Sequence, residues 1–259
     1  MRKTWLKGQD MKGWTIFVHS LRMVLRNWMQ ALRIGLLPVI IATAALSLLV
    51  GGTGWEMMNT PGGGMPMPED GAGFTMAFLP AWIVIMVAMI WIVVNWHRFV
   101  LLEEYPRGWL PPFPVSLILG YFGRILMLVV IAVVLSIPLG ILVAAMGQAA
   151  MILLPIFWVI IMVGFYRVSV ILPAGAVGKP MTLGQAWTAT QGASGVILTF
   201  ALILFAANFV LQLGVAAIMA VSVLLGGLVS IAFSLVMGLV GVSILTTLYG
   251  HYVEGREID

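Results

Sequence analysis

Apolar residues run along this chain in blocks far longer than a soluble helix needs, and the polar positions fall between the blocks. Residues 34–55, 71–97, 125–166 and 180–253 contain no Asp, Glu, Lys or Arg. A helix needs about 20 mainly apolar residues to cross the hydrocarbon of a bilayer. Divided on that measure, the blocks predict six spans, near 33–52, 77–99, 124–146, 150–172, 195–218 and 226–249. The links around Gly147 and Gln148 and from Val221 to Leu225 are short and uncharged, which predicts tight antiparallel hairpins for spans 3 with 4 and 5 with 6. A Gly-, Met- and Pro-rich loop, residues 52–73, joins spans 1 and 2. The predicted fold is all-α: one membrane domain over residues 1–259, with six transmembrane helices arranged as three hairpins.

Charge adds an orientation. None of the 13 Lys and Arg lies in the 52–73 loop or in the two short links, whereas that loop carries Glu56, Glu69 and Asp70. Basic residues accumulate on the cytoplasmic side of membrane proteins, so both termini are expected there. Composition agrees: the chain is 62% hydrophobic and 8% charged, with a mean hydropathy of +1.11, where soluble domains carry about 25% charged residues. The net charge of +4 follows from topology. No basic groove with interleaved aromatics lies outside the spans, so nucleic acid is not an expected partner. Cysteine is absent, which excludes disulfides and thiolate metal sites. The first apolar block begins near Ile34, too far along for a cleavable signal peptide, and reads as a retained span. Trp96, Tyr121, Tyr166, Trp187, Tyr249 and Tyr252 fall near the predicted inner interface, and Trp55, Phe74 and Trp82 near the outer one. Aromatic belts of this kind mark the headgroup layer. Trp91 and Trp158 lie deeper, where they are expected to pack helix on helix.

A helical period precedes the first span. Trp14, Phe17, Val18, Leu21, Leu25, Trp28, Met29 and Leu32 recur on one face, and His19, Arg22, Arg26, Gln30 and Arg33 on the other. Such a basic amphipathic helix, here 14–32, is suited to lie in the plane of an anionic membrane surface or to dock a partner. Thr182 and Gln185 fit a capping box at the start of a shorter relative before span 5. A third lead-in, Val115 to Gly123, follows Pro111, Pro112 and Pro114. One unit used three times, a lead-in followed by an ascending and a descending span, accounts for this pattern. The descending spans end alike, in Trp96-His97-Arg98, Tyr166-Arg167 and Tyr249-Gly250-His251-Tyr252.

Two stretches carry a resemblance. One is Trp96-His97-Arg98-Phe99-Val100-Leu101-Leu102-Glu103-Glu104. The other is Arg167-Val168-Ser169-Val170-Ile171-Leu172-Pro173-Ala174-Gly175-Ala176-Val177-Gly178, followed by Leu183, Ala186-Trp187 and Thr190-Gln191-Gly192. In these the chain resembles six-span inner-membrane proteins of alphaproteobacteria, which are similar in turn to the membrane domain attached to some glycerophosphodiester phosphodiesterases. The resemblance is strongest over spans 2 to 5. It implies a bacterial inner-membrane location and a six-helix fold, and no reaction, because the phosphodiesterase catalytic domain is absent from these residues.

Candidate chemistry is sparse. Arg22, Arg26, Arg98, Arg124, Arg167 and Lys179 form a basic inner rim suited to anionic lipid headgroups or a membrane-protein partner. Glu103 and Glu104 could pair with Arg98 or Arg107, but Pro106 breaks regular helix spacing there. Ser222, Gly226, Ser230, Ser234 and Gly238 recur every four residues, a small-residue row that lets another helix approach closely. Asn208 and Gln212 share a face of span 5, where amides are expected to turn inward and bond across helices, or to line a path for a neutral or amphiphilic solute. Met57, Met58, Met65 and Met67 crowd the 52–73 loop; thioethers select Cu(I), but no histidine lies nearby, and a flexible Gly/Pro/Met linker is the better explanation. Gly192-Ala193-Ser194-Gly195 with His251 matches the serine string of rhomboid proteases, although both groups fall at the inner surface. Pro38, Pro138 and Pro155 lie inside predicted spans 1, 3 and 4 and are expected to kink them. No ionisable residue is expected at mid-membrane depth, which argues against a proton-coupled pump. The sequence therefore reads as a membrane protein without catalysis or cofactor that binds lipid or another membrane protein. A solute channel is the alternative, and an intramembrane serine hydrolase a more distant one.

Overall fold

Each apolar block forms helix because its backbone groups have no water to bond with inside a bilayer and must satisfy one another. In the computed structural model, backbone is described for residues 2–59, 71–147 and 153–258, and side chains for 12–48, 79–147 and 153–258. The helices are α1 Arg2–Arg26, α2 Trp28–Asn59, α3 Gly71–Leu102, α4 Val115–Met146, α5 Leu154–Val168, α6 Ile171–Ala176, α7 Leu183–Ala189, α8 Ser194–Val221 and α9 Val223–Tyr252. Among the described residues there is no strand. Six segments are long and apolar enough to cross a membrane: Trp28–Leu48, Leu79–Leu102, Val115–Met146, Leu154–Ala176, Ser194–Val221 and Val223–Tyr252. The chain is a multi-pass helical membrane protein. At 32 residues each, α2, α3 and α4 are about 48 Å long, against about 30 Å of hydrocarbon, so they tilt or extend into the headgroup layer.

The lead-in helices differ from one another. At α7 the capping box forms as expected: Gln185 N donates to Thr182 Oγ1 at 3.2 Å and Thr182 N to Gln185 Oε1 at 2.8 Å. The segment from Val115 to Gly123 is instead the first part of α4, without a break, since its prolines all precede it and cost the helix nothing. Pro155 sits in the first turn of α5, at the start of its span rather than in the helix interior, where its missing N–H has no partner to lose and no kink follows. Pro38 and Pro138 do lie within α2 and α4.

The first helix packs tightly against the bundle. Gly13, Ile16, Phe17, Ser20 and Val24 are buried, while Trp14 and Leu25 are exposed; the expected helix 14–32 is divided at Asn27, so that Trp28, Met29 and Leu32, also exposed, begin α2. The expected apolar face is thus split, and only part of it meets protein. Close approach depends on Gly13, where a Cβ would lie 2.6 Å from Thr199 Cβ and 2.9 Å from the Val196 carbonyl of α8. Further along, Ser20 meets Thr247 of α9. Helix α1 therefore braces the start of α8 against the end of α9.

Most of the core lies at this same end of the bundle. Val94, Trp96 and Phe99 of α3, Ile118 and Tyr121 of α4, Val170 to Ala176, Val196 to Phe200 and Val240 to Gly250 supply most of it. Toward the other end, α4 exposes Val130, Val133, Val134, Ile137 and Ile141, and α8 exposes Phe205, Phe209 and Val210. In hydrocarbon such side chains need no protein partner. Trp158, expected to pack between helices, is 66% exposed because α5 turns that face outward. Trp91 is buried, and its indole N–H donates to the Pro112 carbonyl at 2.7 Å. Asn95 Nδ2 donates to the same carbonyl at 3.0 Å and to Trp91 O at 2.9 Å, which ties the loop before α4 onto α3.

Candidate functional site

The span formed by α5 does not simply leave the membrane. After Val168 the chain turns and Ile171–Ala176 forms α6, whose six residues are all buried. Small residues make this possible: Ala174, Gly175 and Ala176 let α3, α4 and α9 close around the backbone. Two arginines converge on its last turn. Arg98 Nη1 donates to the Ala176 carbonyl at 3.2 Å. The guanidinium of Arg124 lies over Gly175, where a Cβ would sit 2.5 Å from Nη1 and 2.6 Å from Cζ.

These cations are neutralised unequally. Glu103 adopts φ +56°, a left-handed turn that ends α3 and swings Glu104 back to Arg98, whose Nε donates to Glu104 Oε2 at 2.8 Å. Lys179 pairs with Glu254 at 3.3 Å, and Arg256 pairs with the same carboxylate at 2.8 Å. Arg256 Nη2 also donates to Leu101 O at 2.7 Å, capping α3. Among the described residues no carboxylate meets Arg167; its Nη2 donates to Trp187 O at 2.6 Å, its Nε to Thr190 Oγ1 at 3.3 Å, and Cζ stands 3.6 Å from the Trp187 ring centroid. A guanidinium over an indole face is attracted by the ring quadrupole. Among the described residues Arg124 makes one hydrogen bond, Nη1 to Gly120 O at 2.8 Å. Arg22 and Arg26 are exposed on α1. The structure thus brings Arg98, Arg124, Arg167 and Lys179 to one end of the bundle, around α6 and α7.

Behind this rim lies a buried polar network that sequence reasoning missed. His97 is fully buried, with Nδ1 2.8 Å from Thr246 Oγ1 and Nε2 3.3 Å from Tyr121 OH. Thr246 Oγ1 donates to Val242 O, so its oxygen accepts from His97, which assigns the ring proton to Nδ1 and makes Tyr121 the donor to Nε2. Trp96 Nε1 donates to Ser243 Oγ at 2.8 Å. By the same logic Thr247 Oγ1 donates to Ser243 O and accepts from Ser20, 3.2 Å away. The sequence expectation concerned mid-membrane depth; His97 lies near the end of α3, and its burial there was not anticipated. The repeated aromatic–cation span ending pointed to the headgroup layer, whereas His97 faces inward between α4 and α9. Thr246 and Thr247 also form the floor of a cavity of about 230 Å³, lined by His19, His251 and Arg256 among others.

The remaining candidates are dispersed. His251 Nδ1 donates to Arg256 O at 2.9 Å, whereas Ser194 is exposed at the start of α8 and does not line that cavity. Asn208 Nδ2 donates to Leu204 O of its own helix at 2.8 Å, not across helices, and Gln212 is exposed; a four-residue amide step lets the side chain satisfy itself on its own backbone. In the small-residue row, Ser222 is the N-cap of α9, accepting from Leu225 N at 3.3 Å. Gly226 is buried against Met219, Ser230 is half-buried, and Ser234 and Gly238 are exposed. The side chains of Met57 and Met58, and Met65 and Met67 entirely, lie outside the described residues. Among the described residues no group of three His, Cys, Asp or Glu is placed to hold a metal. No family model, curated protein or solved structure matches the chain.

Proposed function

We propose that this chain is a lipid-binding protein of a bacterial inner membrane, with its basic end at the cytoplasmic face, where it holds anionic phospholipid. The observation that carries this reading is the charge balance at that end. Arg124 and Arg167 both belong to membrane-spanning segments and are half-buried, and no carboxylate among the described residues meets either one. A partly desolvated cation without a counter-charge is costly, and basic pockets between helices at a cytoplasmic surface are where anionic headgroups bind. The exposed Arg22 and Arg26 on α1 add to the same field. Purification in a mild detergent followed by lipid mass spectrometry tests the reading. Phosphatidylglycerol or cardiolipin is expected to be enriched in the purified protein over the membrane extract; a headgroup ratio equal to the extract's counts against it.

A further inference from the structure

We propose that the notch between α4 and α6 at Arg124 seats the phosphate diester of one anionic phospholipid. This deepens the lipid-binding reading above and rests on it. A guanidinium carries five N–H donors in a planar fork, and Arg124 uses one of them, on Gly120 O. The fork lies flat against α6: a Cβ at Gly175 would lie 2.5 Å from Nη1, 2.6 Å from Cζ and 2.8 Å from Nε, nearly equal distances that put the plane of the group over the glycine. At Gly120 a Cβ would stand 3.1 Å from Nη1. Two glycines thus bound the guanidinium, and among the described residues no carboxylate meets it.

Its neighbours differ in the respect that matters. On Arg98 all three nitrogens are engaged, two by Glu104 and one by Ala176 O. On Arg167 the face is covered by Trp187 and two nitrogens are bonded. Arg124 alone of these three keeps most of its fork unused and its charge unmatched. Planar forks pair with phosphate oxygens in a two-point fashion. The approach is apolar on the same face of α4, where Met127, three residues on from Arg124, is exposed. A ligand that brings its own acyl chains suits that surface, and a hydrated free phosphate does not.

The test uses the full chain in neutral detergent. Thermal stability is titrated with phosphatidylglycerol, with phosphatidylcholine and inorganic phosphate as controls. The unmodified protein is expected to be stabilised by phosphatidylglycerol alone, and Arg124→Gln and Gly175→Ala to weaken its apparent affinity by about fivefold or more. Gly175→Ala removes no charge, so its loss reports geometry. Full retention of the response in both variants overturns the seat and leaves the lipid-binding reading standing. No preference for phosphatidylglycerol in the unmodified protein overturns both, and equal stabilisation by inorganic phosphate overturns the lipid as source. Should either variant fail to fold, a phosphatidylglycerol carrying a diazirine beside its headgroup is crosslinked to the unmodified protein. Adducts are expected within 115–128 or 169–178, and adducts confined to other segments overturn the proposal.

Discussion

A fully buried imidazole inside a membrane bundle is tolerable when both ring nitrogens have partners, and at His97 they do. Thr246 accepts from Nδ1 and Tyr121 donates to Nε2, which joins α3 to α9 and α4 through one side chain. His97→Leu is expected to leave the Tyr121 hydroxyl buried without an acceptor, at a cost of about 1–3 kcal/mol. Adding Tyr121→Phe removes the orphaned hydroxyl and should return part of the loss. Melting in detergent across the four-member cycle checks this; strictly additive losses would show that the two side chains are not coupled. Little of this was legible beforehand. The sequence identifies a histidine at the end of a span beside a tryptophan and an arginine. Which way it faces depends on where α4 and α9 pack around α3, and the apolar face of a membrane helix has no polar side to fix its rotation. The arginines were easier to read, because a cation in an apolar segment is conspicuous. Pairing of Glu104 with Arg98 was among the expected ones and forms; what the sequence does not mark is the left-handed turn at Glu103 that brings it about, since no glycine stands there.

At the level of helices, periodicity was a good guide to which segments are helical and a poor one to what each touches. The row from Ser222 to Gly238 has the four-residue spacing of a packing seam, yet its members divide among three tasks. Ser222 caps a helix, Gly226 packs and Gly238 faces open space. At Gly226 an added Cβ would come within 2.8 Å of both the backbone nitrogen and Cα of Met219 on α8, and backbone does not yield as a side-chain end does. Gly226→Leu is therefore expected to destabilise the α8–α9 hairpin by about 1–3 kcal/mol, read as a lower melting temperature and reduced yield. Gly238→Leu, with nothing within 4 Å of its Cβ position, should leave the folded chain unchanged. Sensitivity at Gly238 equal to that at Gly226 would mean that this part of α9 is covered by something outside the chain. The first helix makes the same point. Its alternation of apolar and basic residues was visible, but the face that docks is centred on Gly13, Ile16, Ser20 and Val24, chosen for small size and fit as much as for hydrophobicity.

Over the whole molecule the bilayer is the strongest constraint, and it is the one most fully written in the sequence. Uncharged blocks this long have few alternatives to spanning helices, and the six segments follow the expected ones, with ends shifted by a few residues except at the third, which starts at Val115 instead of near Arg124. The two sides of that bilayer can be tested cleanly because the chain has no cysteine, so each introduced thiol reports alone. Among the described residues between Met65 and Trp109, α3 is the one spanning helix, so the six-span fold is expected to put the two positions on opposite sides. The basic residues cluster at the end of the bundle that holds Trp109's side of α3, tied together by Arg256 on Leu101 and by Arg98 on Ala176. Trp109 is itself 55% exposed and a thiol there should be reachable once the membrane is opened. In intact bacterial cells stripped of their outer barrier, Met65→Cys is expected to react with a membrane-impermeant maleimide. Trp109→Cys should react only after the inner membrane is permeabilised. Labelling of both from the same side would mean that α3 does not cross, and the six-span fold would fall with it. The reverse pattern would keep the six crossings and invert the protein, and it would place the basic end, with Arg124 and its notch, in the outer leaflet.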